Sequence, residues 1–226
     1  MAKMLSGCYI ARMLMSPRRQ LIWECFWVFA LLPVGLGVLK PHSWIYPILW
    51  ISGVRVWWVL RRDHDYSFRA DWNIAGLDRA AIGDIMKRFV PCALVLLLFT
   101  WLAIPDHLFN LPLKRPLVWV MVMLLYPLLS VPPQELIFRS FFLTRYATLF
   151  TPARLRMASA LAFGWAHLVL LNWVAVIFSA IGGYLFAHTY EKTRSLASAC
   201  FEHALYGCYL FTLGLGFYFY HGQAVR

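Results

Sequence analysis

The chain is predicted to be an all-α, polytopic membrane helix bundle with seven or eight transmembrane helices. Three observations predict it. Of the 226 residues, 62% are hydrophobic and only 14% charged, whereas a soluble domain is roughly half apolar and a quarter charged. Apolar stretches of the ~17–25 residues that a helix needs to cross the hydrocarbon core recur along the chain. The alternating segments of about ten residues that mark a transmembrane β-barrel are missing.

The first span is read at 20–39, "QLIWECFWVFALLPVGLGVL", and the second at 44–60, "WIYPILWISGVRVWWVL". Trp and Tyr crowd their ends, as headgroup-level anchors do. Residues 61–88 form a long polar stretch, in which "GLDRAAIGDIMKR" suits a short amphipathic helix lying at the interface. Spans resume at 89–105 and 116–131. Further helices are expected at 134–150, 154–171, 173–190 and 196–220. Residues 1–106 thus read as N-terminal membrane helices with a cytoplasmic loop at 61–88. Residues 107–226 read as the helices that carry the chemistry, all within one integrated membrane domain.

Net charge is +11. The basic residues gather at helix ends and in loops, which points to lipid headgroups rather than nucleic acid as their partners. Lys3, Arg12, Arg18 and Arg19 precede the first span, and six Lys or Arg occupy 61–88, against Lys40 alone between the first two spans. This places the N-terminus in the cytoplasm; the protein is expected to be a multi-pass integral protein of a prokaryotic inner or plasma membrane. Strict alternation would then push Lys114, Arg115, Arg145, Arg154, Arg156, Lys192 and Arg194 outward, so orientation of the C-terminal helices stays open. The cysteines (Cys8, Cys25, Cys92, Cys200, Cys208) have no metal-ligand spacing, and no cofactor is expected.

Against this apolar background a few polar groups stand out. Burying one charge at the bilayer centre costs roughly 2.5–3.5 kcal/mol on insertion scales, so such groups face the bundle interior and need partners. Glu135 and Arg139, in "PPQELIFRSFF", are four residues apart with Glu first, the favourable order for a helical pair. Pro132 and Pro133 suit a helix start just before Gln134. Phe163 and His167 share the same spacing in "LAFGWAHLVLLNWVAV", which ends near Asn172. Glu202 and His203 are neighbours in "LASACFEHALYGCYLF", so they diverge by about 100° and cannot both face one site. His203 is expected to face it, with Glu202 capping or pairing at the helix edge. One carboxylate, one guanidinium and two imidazoles on three helices are what water-driven amide hydrolysis needs: a base, a water-positioning group and a donor for the oxyanion.

These residues resemble the CPBP group of CAAX-type glutamic intramembrane proteases, which carry EExxxR, FxxxH and HxxxN on three membrane helices. Here the three read "QELIFR" (Gln134 to Arg139), "FGWAH" (Phe163 to His167) and "HALYG" (His203 to Gly207), in that order. Gln134 replaces the first Glu, the one usually assigned to activating water, and Gly207 replaces the Asn expected to assist the oxyanion. The resemblance implies an intramembrane endopeptidase acting on a membrane-anchored peptide or protein. Glu135 would be the base, with His167 sharing the water. His203, with backbone or Asn172, would stabilise the oxyanion, and Arg139 would lock Glu135 in place. Two alternatives stay open: a non-catalytic binder, immunity protein or scaffold that keeps the cavity, and a zinc site built from Glu135, His167 and His203. The substrate and the oligomeric state are not readable.

Overall fold

The computed structural model describes residues 16–39, 44–64 and 66–219. Lys3, Cys8, Arg12 and Lys40, which entered the charge and cysteine readings, lie outside the described residues. Among the described residues the fold is all-helical, with no strand. Helix α1 spans Pro17–Leu39 with a π turn at Phe26–Leu31, and α2 spans Ile45–Leu60. The short α3 (Phe68–Trp72) leads to α4 (Arg79–Ala103), and the short α5 (Asn110–Lys114) to α6 (Pro116–Arg145). Helices α7 (Pro152–Ala166), α8 (Trp173–Thr193) and α9 (Leu196–Leu213) complete the bundle. By length and composition α1, α4, α6 and α8 can each cross a membrane, and α2 is a shorter apolar helix beside them.

Local chemistry sets the ends. Asp78, Asn172 and Ser195 cap α4, α8 and α9 by accepting the amides of Ala81, Ala175 and Ser198, which satisfies donors that a helix start leaves orphaned. Pro116 and Pro152 open α6 and α7, where the missing amide costs nothing. Helix α9 stops at Gly214, whose φ of +97° is left-handed; a Cβ there would sit 1.9 Å from the His107 carbonyl oxygen.

Two expected boundaries are corrected. The helices read at 116–131 and 134–150 are one interrupted span, α6, ending at Arg145. Pro132 and Pro133 break the ladder without ending the helix, and a side chain of a neighbouring helix takes up one of the carbonyls they free. The Trp50 indole of α2 donates to the Leu129 carbonyl oxygen at 2.8 Å, the acceptor that Pro133 has no amide to reach. Past the interruption, Leu136–Phe141 form a π turn. The second correction concerns 76–88: no separate interfacial helix forms. From Arg79 onward this stretch is the first part of α4, which runs on through Pro91. The expected helices at 154–171 and 196–220 also end early, at Ala166 and Leu213, each followed by a 3₁₀ turn.

Burial is inverted relative to a soluble protein. Leu94, Val95, Leu124, Leu128 and Ile181 are more than half exposed, while Glu135, Arg139, Ser140, Ser159 and Glu202 are fully buried. The apolar exterior suits lipid, and the polar groups are gathered inside. Helices α7 and α8 pack closely through a glycine: a Cβ on Gly164 would lie 2.6 Å from that of Ala180.

Because 116–145 is a single span, the polar ends sort into two groups. Asn73 donates to the Arg194 carbonyl oxygen, Lys192 pairs with Asp84, Arg156 with Glu191, and Arg145 with Glu24 of α1. These contacts bring the start of α1, the 61–78 connection, the 146–151 connection and the α8–α9 turn to one end. The 104–115 connection lies at the other: Phe109 donates its amide to the Leu213 carbonyl oxygen.

Candidate active site

Glu135 sits ten residues inside the Arg145 end of α6, about 15 Å at 1.5 Å per residue. Its carboxylate and the Arg139 guanidinium are both fully buried. Arg139 Nε lies 3.0 Å from Glu135 Oε2, and its Nη2 donates to Oε1 at 3.4 Å. Arg139 Nη1 also donates to the hydroxyl of Ser159 on α7 at 3.2 Å, and that hydroxyl donates to the Phe138 carbonyl oxygen at 2.7 Å. The guanidinium lies 5.0 Å from the centre of the Phe163 ring, a cation–π contact. The cation is thus held by Glu135, Ser159 and the Phe163 ring, which fixes the carboxylate that it neutralises.

From α9, His203 Nδ1 approaches Glu135 Oε1 at 2.7 Å. The sequence separates these residues by 68 positions, and the bundle closes them into a buried hydrogen bond. The imidazole is held by aromatic rings: it stacks on Phe186 at 4.6 Å with 15° between planes, and meets Phe163 edge-on at 5.4 Å. A carboxylate accepts, so the imidazole donates through Nδ1, which leaves Nε2 of the neutral ring as a bare acceptor.

His167 stands differently. It follows the last residue of α7, and its Nδ1 donates to the Phe163 carbonyl oxygen at 2.8 Å. Its Nε2 is therefore also the acceptor nitrogen. Its ring packs on Phe163 at 4.8 Å, so Phe163 lies against both imidazoles. No hydrogen bond joins His167 to Glu135.

The supporting residues are placed as follows. Gln134 donates its amide to both the carbonyl oxygen and the hydroxyl of Ser130, at 2.9 and 2.8 Å. It anchors the α6 interruption. Asn172 is a helix cap: its oxygen accepts the Ala175 amide and its nitrogen donates to the Tyr218 carbonyl oxygen, each at 2.8 Å. Its side-chain oxygen and nitrogen are both engaged in these contacts. Glu202 points away from His203 and pairs with Arg88 of α4 at 3.1 Å. It is not at a helix edge, as expected, but fully buried. Among the described residues no three His, Cys, Asp or Glu side chains converge as metal ligands.

The sequence reading missed three groups. Ser159 carries no signal beyond a hydroxyl in an apolar run. Arg88 was assigned to a loop, and only the continuous α4 brings it inward. Tyr126 of α6 lies edge-on to His203 at 6.0 Å.

Residues 116–209 match the family model of the Rce1-like type II CAAX prenyl endopeptidases. The match covers α6 to most of α9, and hence all of the residues just described on those helices. Comparison with characterised proteins and with solved structures returns no match.

Proposed function

From the match of residues 116–209 to the type II CAAX prenyl endopeptidase family, which supports an intramembrane endopeptidase, we propose that this chain hydrolyses a peptide bond in a membrane-associated substrate through a Glu135–His203 pair. The observation that carries the reading is the 2.7 Å contact between His203 Nδ1 and Glu135 Oε1 inside the bundle. Glu135 holds the tautomer in which Nε2 is the base. Water adds to the scissile carbonyl carbon as Nε2 takes its proton, and the buried carboxylate stabilises the imidazolium that forms. The same proton then passes to the departing nitrogen, leaving an acid and an amine. His167, with its own Nε2 as acceptor, takes the water's second hydrogen as a hydrogen bond. Arg139 and Ser159 keep Glu135 from turning away.

A quenched fluorescent peptide ending in an S-prenylated cysteine box, added to the protein in liposomes, tests the reading. Glu135→Gln and His203→Gln are expected to abolish cleavage at unchanged protein level. Full turnover by either variant would overturn it.

One observation favours a second reading, a non-catalytic peptide binder. Gln134, where the related motif carries its first Glu, spends its amide on Ser130, and Arg139 contacts both oxygens of Glu135. This reading expects the same peptide to bind uncut, with an affinity that Glu135→Gln leaves unchanged.

A further inference from the structure

Gly207 lies one helical turn beyond His203 on α9, so both positions share a face. Position 207 contributes no side chain, and α6 fills the space. A Cβ built on Gly207 would fall 2.3 Å from the hydroxyl oxygen of Tyr126 and 2.3 Å from its Cε1. No residue but glycine leaves room for that ring. The same ring lies edge-on to the His203 imidazole, 75° between planes. The helix that carries Glu135 therefore also delivers a phenol to the His203 face of α9, about 6 Å along its axis from the imidazole position.

Resting on the endopeptidase reading above, we propose that Tyr126 is the catalytic donor that binds the oxyanion formed when water adds to the scissile carbonyl. Addition forms a carbon–oxygen bond and moves the π pair of the carbonyl onto its oxygen. The Tyr126 O–H donates a hydrogen bond to that oxygen and keeps its own proton. When the carbon–nitrogen bond breaks, the pair returns to re-form the carbonyl, and the proton held by His203 goes to the nitrogen. One water is consumed, and phenol and imidazole end as they began. A phenol suits the task because it is a donor that carries no charge, so it adds nothing to the cost of an already charged interior. Glycine at 207 is then a requirement of the site, since a side chain there would displace the donor.

The test measures kcat and KM separately on the prenylated peptide for the liposomal protein and for Tyr126→Phe, Gly207→Ala and the double variant, with Glu135→Gln as reference. Tyr126→Phe keeps the ring against His203 and removes one oxygen. It is expected to lower kcat about 10²–10³-fold with KM within about threefold, the signature of an interaction made only in the transition state. Gly207→Ala must push the phenol aside and is expected to lower kcat comparably, with the double variant no worse than Tyr126→Phe alone. If Gly207→Ala does not fold, Tyr126→Phe decides alone. A Tyr126→Phe protein with kcat within about threefold of the unmodified chain, or with its loss confined to KM, would overturn the proposal while inactivity of Glu135→Gln left the endopeptidase reading standing. Full cleavage by Glu135→Gln would overturn that reading itself.

Discussion

Arg88 and Glu202 form a second ion pair, separate from Glu135 and Arg139, in which Glu202 is fully buried and Arg88 partly exposed. Both Nε and Nη2 of Arg88 donate to Glu202 Oε1, at 3.3 and 3.1 Å, and Nη2 also donates to the Thr189 hydroxyl at 2.6 Å. The pair ties α4 to α8 and α9. Removing one partner of a buried pair strands the other charge, at a cost of about 3–5 kcal/mol, whereas replacing both with apolar groups is often neutral. Arg88→Met is therefore expected to destabilise the protein by about that much, and Arg88→Met with Glu202→Leu to recover most of the loss. Denaturant unfolding in detergent measures it, and a single variant as stable as the unmodified chain would show the pair to be idle. The sequence signalled Glu202 as a polar residue in an apolar run, but its partner lies 114 residues away and could not be named.

The helices show where local reading stops. The i to i+4 rule joined Glu135 to Arg139 and Phe163 to His167 correctly, because both relations lie within one helix or its end. The proline pair misled the reading at α6. Prolines terminate a helix when the carbonyls they free have no other donor, and here Trp50 of α2 supplies one for Leu129. A sequence cannot show that a tryptophan 79 positions away will do so. The polar start of α4 misled in the opposite sense: "DRAAIGDIMKR" has the composition of an interface helix, and Asp78 caps it as the start of a longer one. Tyr126 was invisible for a plainer reason, being one of 11 tyrosines with no motif around it; only its ring, seated where a side chain at Gly207 would be, singles it out.

Joining 116–145 into a single span also changes the polarity of the whole bundle. Arg145, Arg154, Arg156, Lys192 and Arg194 now fall at the end that carries Arg18, Arg19, Arg61 and Arg62, and Lys114 and Arg115 at the other. For these five residues the apparent conflict with the positive-inside rule was a miscounted crossing, while Lys114 and Arg115 keep their place at the far end. We infer that the Arg-rich end is cytoplasmic. A cysteine placed at exposed Arg194 of a chain in which Cys8, Cys25, Cys92, Cys200 and Cys208 are serine should react with a membrane-impermeant maleimide in inverted vesicles and not in intact cells. Labelling in intact cells would reverse the orientation.

Hydrolysis by the proposed route requires Glu135 and His203 to act as a single proton-handling unit within the membrane bundle. Cleavage of the prenylated peptide by Glu135→Gln, His203→Gln and the double variant tests this most directly. If the two act through their 2.7 Å contact, either substitution alone costs nearly as much rate as both together. Losses that multiply, or a His203→Gln protein that cleaves at the unmodified rate, would show that the two side chains share a hydrogen bond and no chemistry.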